Sequence, residues 1–200
     1  MALGWKSWFW RWRGVAIATP SVTLAVFLLR AVGLLQASEW GAYDQFMRLR
    51  PAQPDDRIVI VSIDEDDVRE FGQSILPDEV YAKVIDNISA AEPRAIGLDI
   101  YRNVAVPPGE AALEQTLLNT PNLIGVRMVA CEADRETIEG NPILTELGQI
   151  GANDLLADAD NTVRRGFLQI NAPDGQQLPS FALYLALLYL DAVGVGGEMI

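Results

Sequence analysis

Apolar residues run almost unbroken from Gly14 to Leu35, then recur at helical spacing, and after that gather in short blocks between turn-forming residues. The first run predicts a transmembrane helix over residues 14–36. At ~1.5 Å per residue it is long enough for a ~30 Å hydrocarbon core. Its one internal charge, Arg30, lies near the far end and can snorkel to the headgroups. Pro20 is tolerated in such a helix. Residues 1–13 carry Lys6, Arg11 and Arg13 interleaved with Trp5, Trp8, Trp10 and Trp12. Basic residues hold a terminus inside and tryptophans favour the lipid–water interface, so this tail is expected in the cytoplasm. The rival reading, a cleaved signal peptide, wants small residues before its cut. The Leu35-Gln36-Ala37-Ser38 neighbourhood supplies them poorly, and the apolar run is long for a signal.

Beyond the span, Trp40, Tyr43, Phe46 or Met47, and Leu49 fall on one stripe. This predicts a helix over 38–49 that continues the membrane helix outward until Pro51 and Pro54 break it. Residues 57–63, Arg-Ile-Val-Ile-Val-Ser-Ile, read as a β-branched strand. A helix follows over 77–91, with Val80, Val84, Ile85 and Ile88 on its apolar face. Then come a strand over 95–100, a helix over 110–118 opened by Pro107-Pro108-Gly109, and a strand over 123–129. Residues 131–142 are polar and read as a loop. Residues 163–170 read as a strand. Residues 180–190 form an apolar helix too short to span a bilayer, which is expected to pack on the sheet. Alternating strands and helices with near-continuous apolar strands indicate a parallel sheet covered on both faces. The predicted class is therefore α/β: an N-terminal transmembrane helix followed by a partly parallel sheet flanked by helices, with residues 37–200 outside the cytoplasm.

Charge sharpens this picture. Four of the 15 basic residues precede the first acidic one, Glu39, so 11 face all 27 acidic residues downstream. A body of that sign repels nucleic acid, which is excluded as a partner. The lipid bilayer is the expected partner of the span. There is one cysteine, Cys131, and no histidine. An internal disulfide cannot form and a zinc site is disfavoured. Ser-His-Asp and Cys-His catalysis is excluded within the chain. No cofactor is indicated.

Candidate chemistry rests on five residues. Asp64 and Glu65 follow one predicted strand and Asp99 ends the next. If those strands are neighbours, the carboxylates share the sheet's carboxyl edge, where open α/β sheets bind ligands. They would suit a cation or a basic small molecule. A local reading stands beside this one: Asp64 with Asp67 three positions on resembles a helix cap, and Asp99 could pair with Arg102. Arg164 and Arg165 could pair with these acids or face an anionic ligand. Asp158-x-Asp160-x-Thr162 resembles a phosphatase nucleophile motif, but the acidic and lysine partners such an enzyme needs do not follow. An EF-hand loop counted from Asp158 has Val163 at its sixth position and Gln169 at its twelfth, so it fails. Gly194-Val-Gly-Gly197 lacks a Lys-Ser/Thr ending and reads as a helix stop.

The chain resembles the CHASE type-two family, the extracytoplasmic sensory domains of bacterial cyclases and kinases. The matching stretches are Tyr43-Asp44 with Arg48-Leu-Arg-Pro51, residues 57–65, Pro93-Arg-Ala-Ile-Gly-Leu-Asp99, Asp160 with Val163-Arg-Arg165, and Leu178-Pro-Ser-Phe-Ala182. They run in the family's order over about residues 38–190. Ser74-Ile-Leu-Pro77 stands where the family often has a Trp-Pro-Trp-like segment. The resemblance implies a sensory module that binds an unidentified small ligand and is not itself an enzyme. It also implies a longer protein, with further sheet, further membrane helices and a cytoplasmic output domain. A homodimer would let ligand binding move paired helices. Two other functions are carried forward. One is an extracytoplasmic metal-dependent hydrolase using Asp64, Glu65 and Asp99. The other is a truncated remnant or partner subunit that does not signal.

Overall fold

The computed structural model describes residues 3–50, 53–129 and 136–195, and of residues 3–9 and 11 the backbone alone. The expectations placed on the side chains of Trp5, Lys6, Trp8 and Arg11, on Pro51, on Cys131 and the first part of its loop, and on Gly197 lie outside the described residues. The chain divides into two units, Met1–Ser62 and Ile63–Ile200.

The first unit contains α1 (Leu3–Ala31) and α2 (Gln36–Leu49). Within α1, Trp12–Ala31 is long and apolar enough to cross a membrane, and none of it is buried in the chain. Apolar residues surround the helix instead of forming one stripe, the pattern of a helix with apolar surroundings on every side. The expected single helix running on to Leu49 is not what forms. Gly33 takes a left-handed conformation at φ 79°, and the Leu34 amide donates back to Leu29 O at 3.0 Å. Bonds of this kind close a helix end, and glycine adopts the required φ without strain. An ion pair from Arg30 Nε to Glu39 Oε1 at 3.2 Å bridges the break.

Residues 58–63 correct a second expectation. They belong to no helix and to no sheet among the described residues. Ile58, Val59, Ile60 and Val61 are 68, 83, 83 and 64% exposed. β-Branched residues favour extended backbone, but a strand exists only where a neighbouring edge accepts its hydrogen bonds.

The second unit is built on a three-stranded parallel sheet in the order β1 (Ile96–Gly97), β2 (Leu123–Arg127), β3 (Ile150–Ala152). All five residues of β2 are buried, as expected of a central strand. Before the sheet come α3 (Glu65–Phe71) and α4 (Asp78–Ser89). The crossover from β1 to β2 carries α5 (Glu110–Leu118), and that from β2 to β3 carries α6 (Pro142–Glu146). After it come two hairpins, β4 (Leu156–Ala157) with β5 (Val163–Arg165) and β6 (Gln169–Asn171) with β7 (Gln177–Pro179), then α7 (Phe181–Ala192). The predicted 163–170 strand is thus split between two hairpins.

One core joins α4, α5 and α6 to the sheet through Tyr81, Ala82, Ile85, Leu113, Leu117, Leu123, Leu144 and Ile150. Of the predicted face, Ile85 is buried and Val80 and Ile88 pack against the core, while Val84 is exposed and Asp78, Tyr81 and Ala82 are buried beside them. Asp78 is a charged residue that the fold buries. The opposite face of the sheet carries α7. A Cβ on Gly97 would fall 2.6 Å from Phe181 Cζ, and one on Gly151 2.7 Å from Phe181 Cα. These two glycines let the helix lie against the strands. Ser180 caps α7 by accepting from the Leu183 amide at 3.1 Å, and Gly194 at φ 75° ends it, as its sequence suggests. A second, smaller core of Val129, Ala152, Ala172 and Leu178 seats the β6–β7 hairpin at the strand ends.

Candidate functional site

Because β1, β2 and β3 run in one direction, their carboxyl ends share one edge, and Asp99, Tyr101 and Asn153 meet there. The Tyr101 hydroxyl donates to Asn153 Oδ1 at 2.8 Å, and Asn153 Nδ2 donates to Asp99 Oδ1 at 3.0 Å. The Asn153 backbone amide donates to Arg127 O at 3.2 Å, which ties the side-chain chain to the central strand. Next to it, Asp154 Oδ2 accepts from the Val129 amide at 2.8 Å. Asp99 stays exposed while Asn153 and Tyr101 are half-buried. A carboxylate, an amide and a phenol in one hydrogen-bonded row can accept from an amine or another cationic donor.

Arg127, at the end of β2, turns its buried guanidinium toward the β6–β7 turn. It forms ion pairs with Glu139 Oε2 and Asp174 Oδ2, both at 3.0 Å. The Asp174 carboxyl is held below its usual range, first by the Gln176 backbone amide and then by Arg127.

The five candidates fall into three local networks. Asp64 is committed to a capping box: its carboxylate accepts from the Asp66 and Asp67 amides at 2.8 and 3.2 Å, and Asp67 answers to the Asp64 amide at 2.9 Å. Glu65 occupies the exposed first turn of α3, where a negative charge suits the helix dipole. Asp99 joins Asn153 and Tyr101, not Arg102, which is paired with Asp78. Arg164 and Arg165 belong to the β4–β5 hairpin. Arg164, whose side chain is buried, reaches Asp158 Oδ2 at 3.0 Å and Asp160 Oδ2 at 2.7 Å, and Arg165 also pairs with Asp158. The Arg164 guanidinium holds Asp160 down to about 2 and lowers Asp158 as well. Both acids therefore remain carboxylates at physiological pH, and Asp158 serves as a counter-ion between two arginines. A hydrolase built on Asp64, Glu65 and Asp99 would need them around one ion. Among the described residues no group of three or more such side chains is placed to hold a metal.

Asn153 and Arg127 were not among the sequence candidates. Neither sits in a motif. Their one legible signal is position: a polar residue that ends an apolar strand or directly follows one lies on the ligand-binding edge of a parallel sheet.

The fold and its polar edge define an α/β module of parallel strands that carries an apolar N-terminal helix. The family model of the CHASE2 domain matches residues 21–198, and the chain belongs to that family, one of sensory extracytoplasmic modules. Searches of the curated proteins and of the solved structures returned no match.

Proposed function

We propose that this chain is the membrane-anchored sensory module of a signal-transduction protein. In this reading Trp12–Ala31 crosses the bilayer once, the residues before it stay in the cytoplasm, and residues 37–200 lie outside. The observation that carries the reading is the span itself. Twenty consecutive residues are predominantly apolar and covered by nothing in the chain, and the family match begins within them. A helix of this length and composition suits ~30 Å of hydrocarbon. Lys6 and Arg11 ahead of the span, Arg13 at its start and the acidic body behind it favour the inward N-terminus. A periplasm-dependent reporter enzyme fused after Pro51 in a bacterial host is expected to be active. Activity only of a reporter that needs the cytoplasm would reverse the orientation.

The sensing site is assigned to the row Asp99–Asn153–Tyr101. Small amines or cations are the ligand class it suits, since the exposed group is a carboxylate. A ligand acts on such a module only through unequal affinity for two of its states. In a thermal-shift screen of amines on the intact protein in micelles, Asp99→Ala should abolish any stabilisation seen with the native chain. Stabilisation retained in full by Asp99→Ala would place the site elsewhere.

A further inference from the structure

The break after α1 also sets the direction of α2. Arg30 Nε meets Glu39 Oε1 at 3.2 Å across it. In an unbroken helix two residues nine apart leave opposite sides of the axis and lie about 13 Å apart along it, beyond the reach of this pair. The ion pair therefore requires α2 to bend off the α1 axis, with its Glu39 side turned back toward the end of the span. Tyr43, Phe46 and Met47 stand four, seven and eight positions after Glu39, so helical geometry puts all three on that same side. Asp44, Gln45 and Arg48 fall on the opposite side. An apolar stripe of α2 is thus aimed at the place where the span ends.

We propose that this stripe lies on the outer surface of the bilayer, along the headgroup layer of neutral, zwitterionic lipid. The proposal rests on the reading of Trp12–Ala31 as the membrane span. Only Val32 to Leu35 separate α1 from α2, so the start of α2 is tethered within a few residues of that surface. The side chains of the stripe suit the place: a phenol ends in the wet headgroup region, while phenylalanine and methionine enter the acyl boundary. Charge selects the lipid. Helix α2 carries two acids, Glu39 and Asp44, against one base, Arg48. A helix with no basic stripe draws on apolar contact, not on attraction to anionic headgroups. The exposed ion pair reports this geometry more than it enforces it, and burial of the stripe holds it.

The test uses the full chain with Cys131→Ser in phosphatidylcholine vesicles, with a fluorophore on Met47→Cys, Gln45→Cys or Val22→Cys. Lipid brominated near the headgroup should quench most of the Met47→Cys signal and little of the Gln45→Cys signal, which aqueous iodide should quench instead. Adding anionic lipid should change neither. The proposal is overturned if brominated lipid spares the Met47→Cys label. Iodide then tells whether water reaches that label or whether protein, the chain's own second unit or another copy, covers it. It is also overturned if brominated lipid quenches the Met47→Cys and Gln45→Cys labels alike, or if quenching of Met47→Cys appears only with anionic lipid. Val22 lies inside the span, so lipid brominated deep in its acyl chains should quench the Val22→Cys label. A Val22→Cys label that stays bright would sink the span and the proposed function with it. Val22→Cys quenched and Met47→Cys spared sinks only the seat of α2.

Discussion

Replacing Arg102 by methionine should lower the stability of the folded unit by about 3–5 kcal/mol, the usual cost of stranding one partner of a buried ion pair. Arg102 and Asp78 have side chains only 4 and 3% exposed. The guanidinium also donates to Leu76 O at 3.1 Å and stacks over the Tyr81 ring with 4.5 Å to its centroid. Asp78 Oδ2 accepts from the Val106 amide at 2.9 Å, and Arg102 O accepts from Asn141 Nδ2 at 2.8 Å. One ion pair therefore ties the start of α4, the strand-end after β1, the turn before α5 and the cap of α6. Burial raises the Tyr81 hydroxyl pKa, and the neighbouring Asp78 carboxylate adds to the rise while Arg102 opposes it. Without Arg102 the Asp78 carboxylate is buried with no counter-charge. Chemical denaturation followed by circular dichroism measures the loss. The double variant Asp78→Asn/Arg102→Met keeps an acceptor for Val106 and removes the stranded charge, so it should recover more than half of the loss. A double variant as unstable as Arg102→Met would show that packing of the arginine, not its charge, is what the fold needs.

Gly109→Ala should be nearly as damaging, with a loss above about 2 kcal/mol from combined backbone strain and overpacking. Gly109 sits at φ 109°, a conformation that side-chain-bearing residues rarely take. A Cβ there would lie against Glu79 N and within 2.5 Å of Glu79 Cα, and both are backbone atoms of the first turn of α4. That turn cannot yield easily. The Asp78 amide donates to Val106 O at 2.8 Å and the Glu79 amide to Pro108 O at 3.0 Å, while Leu113 N closes the first turn of α5 on Gly109 O at 2.9 Å. Thermal unfolding of the alanine variant should begin well below that of the native chain. For comparison, Gly72 is also left-handed, at φ 66°, but an added Cβ would meet open space. Gly72→Ala carries the strain alone, so it should cost the smaller amount. Equal losses at the two positions would mean that contact with Glu79 contributes nothing.

The parts of the fold that could be read from sequence are those whose cause is local. Residues 110–118 form the predicted helix to the residue, because Pro107-Pro108-Gly109 fixes where it starts and Leu113 and Leu117 recur at helical spacing. The Asp64–Asp67 cap was likewise visible as a candidate, since its partners lie three positions apart, whereas Arg164 and Arg165, expected to pair with Asp64, Glu65 and Asp99, pair within their own hairpin with Asp158 and Asp160. What sequence missed depends on distant partners. Asp78 meets Arg102 across 24 positions, and no periodicity announces a buried acid, so the pair was not foreseen. Gly33 lies inside an apolar run that looks continuous, yet a left-handed residue ends the helix. Residues 58–63 have every local mark of a strand, and the ladder that would make them one depends on an edge that sequence does not display. The proposed carboxyl-edge cluster lost Asp64 and Glu65 for the same reason. It kept Asp99 and gained Asn153 and Tyr101, which only the strand register brings together.

The break at Gly33 bears on mechanics. An uninterrupted helix behaves as a stiff shaft, so twisting one end twists the other. Here the shaft has a knuckle. Four residues, Val32 to Leu35, separate α1 from α2, and the strut across them is an ion pair whose side chains are 67 and 46% exposed. Such a strut contributes at most about 1 kcal/mol and weakens further in salt. Torque applied to α2 is dissipated at the knuckle before it reaches α1, whereas a push or pull along the chain passes through it. A helix pair joined this way would pass displacement more readily than rotation.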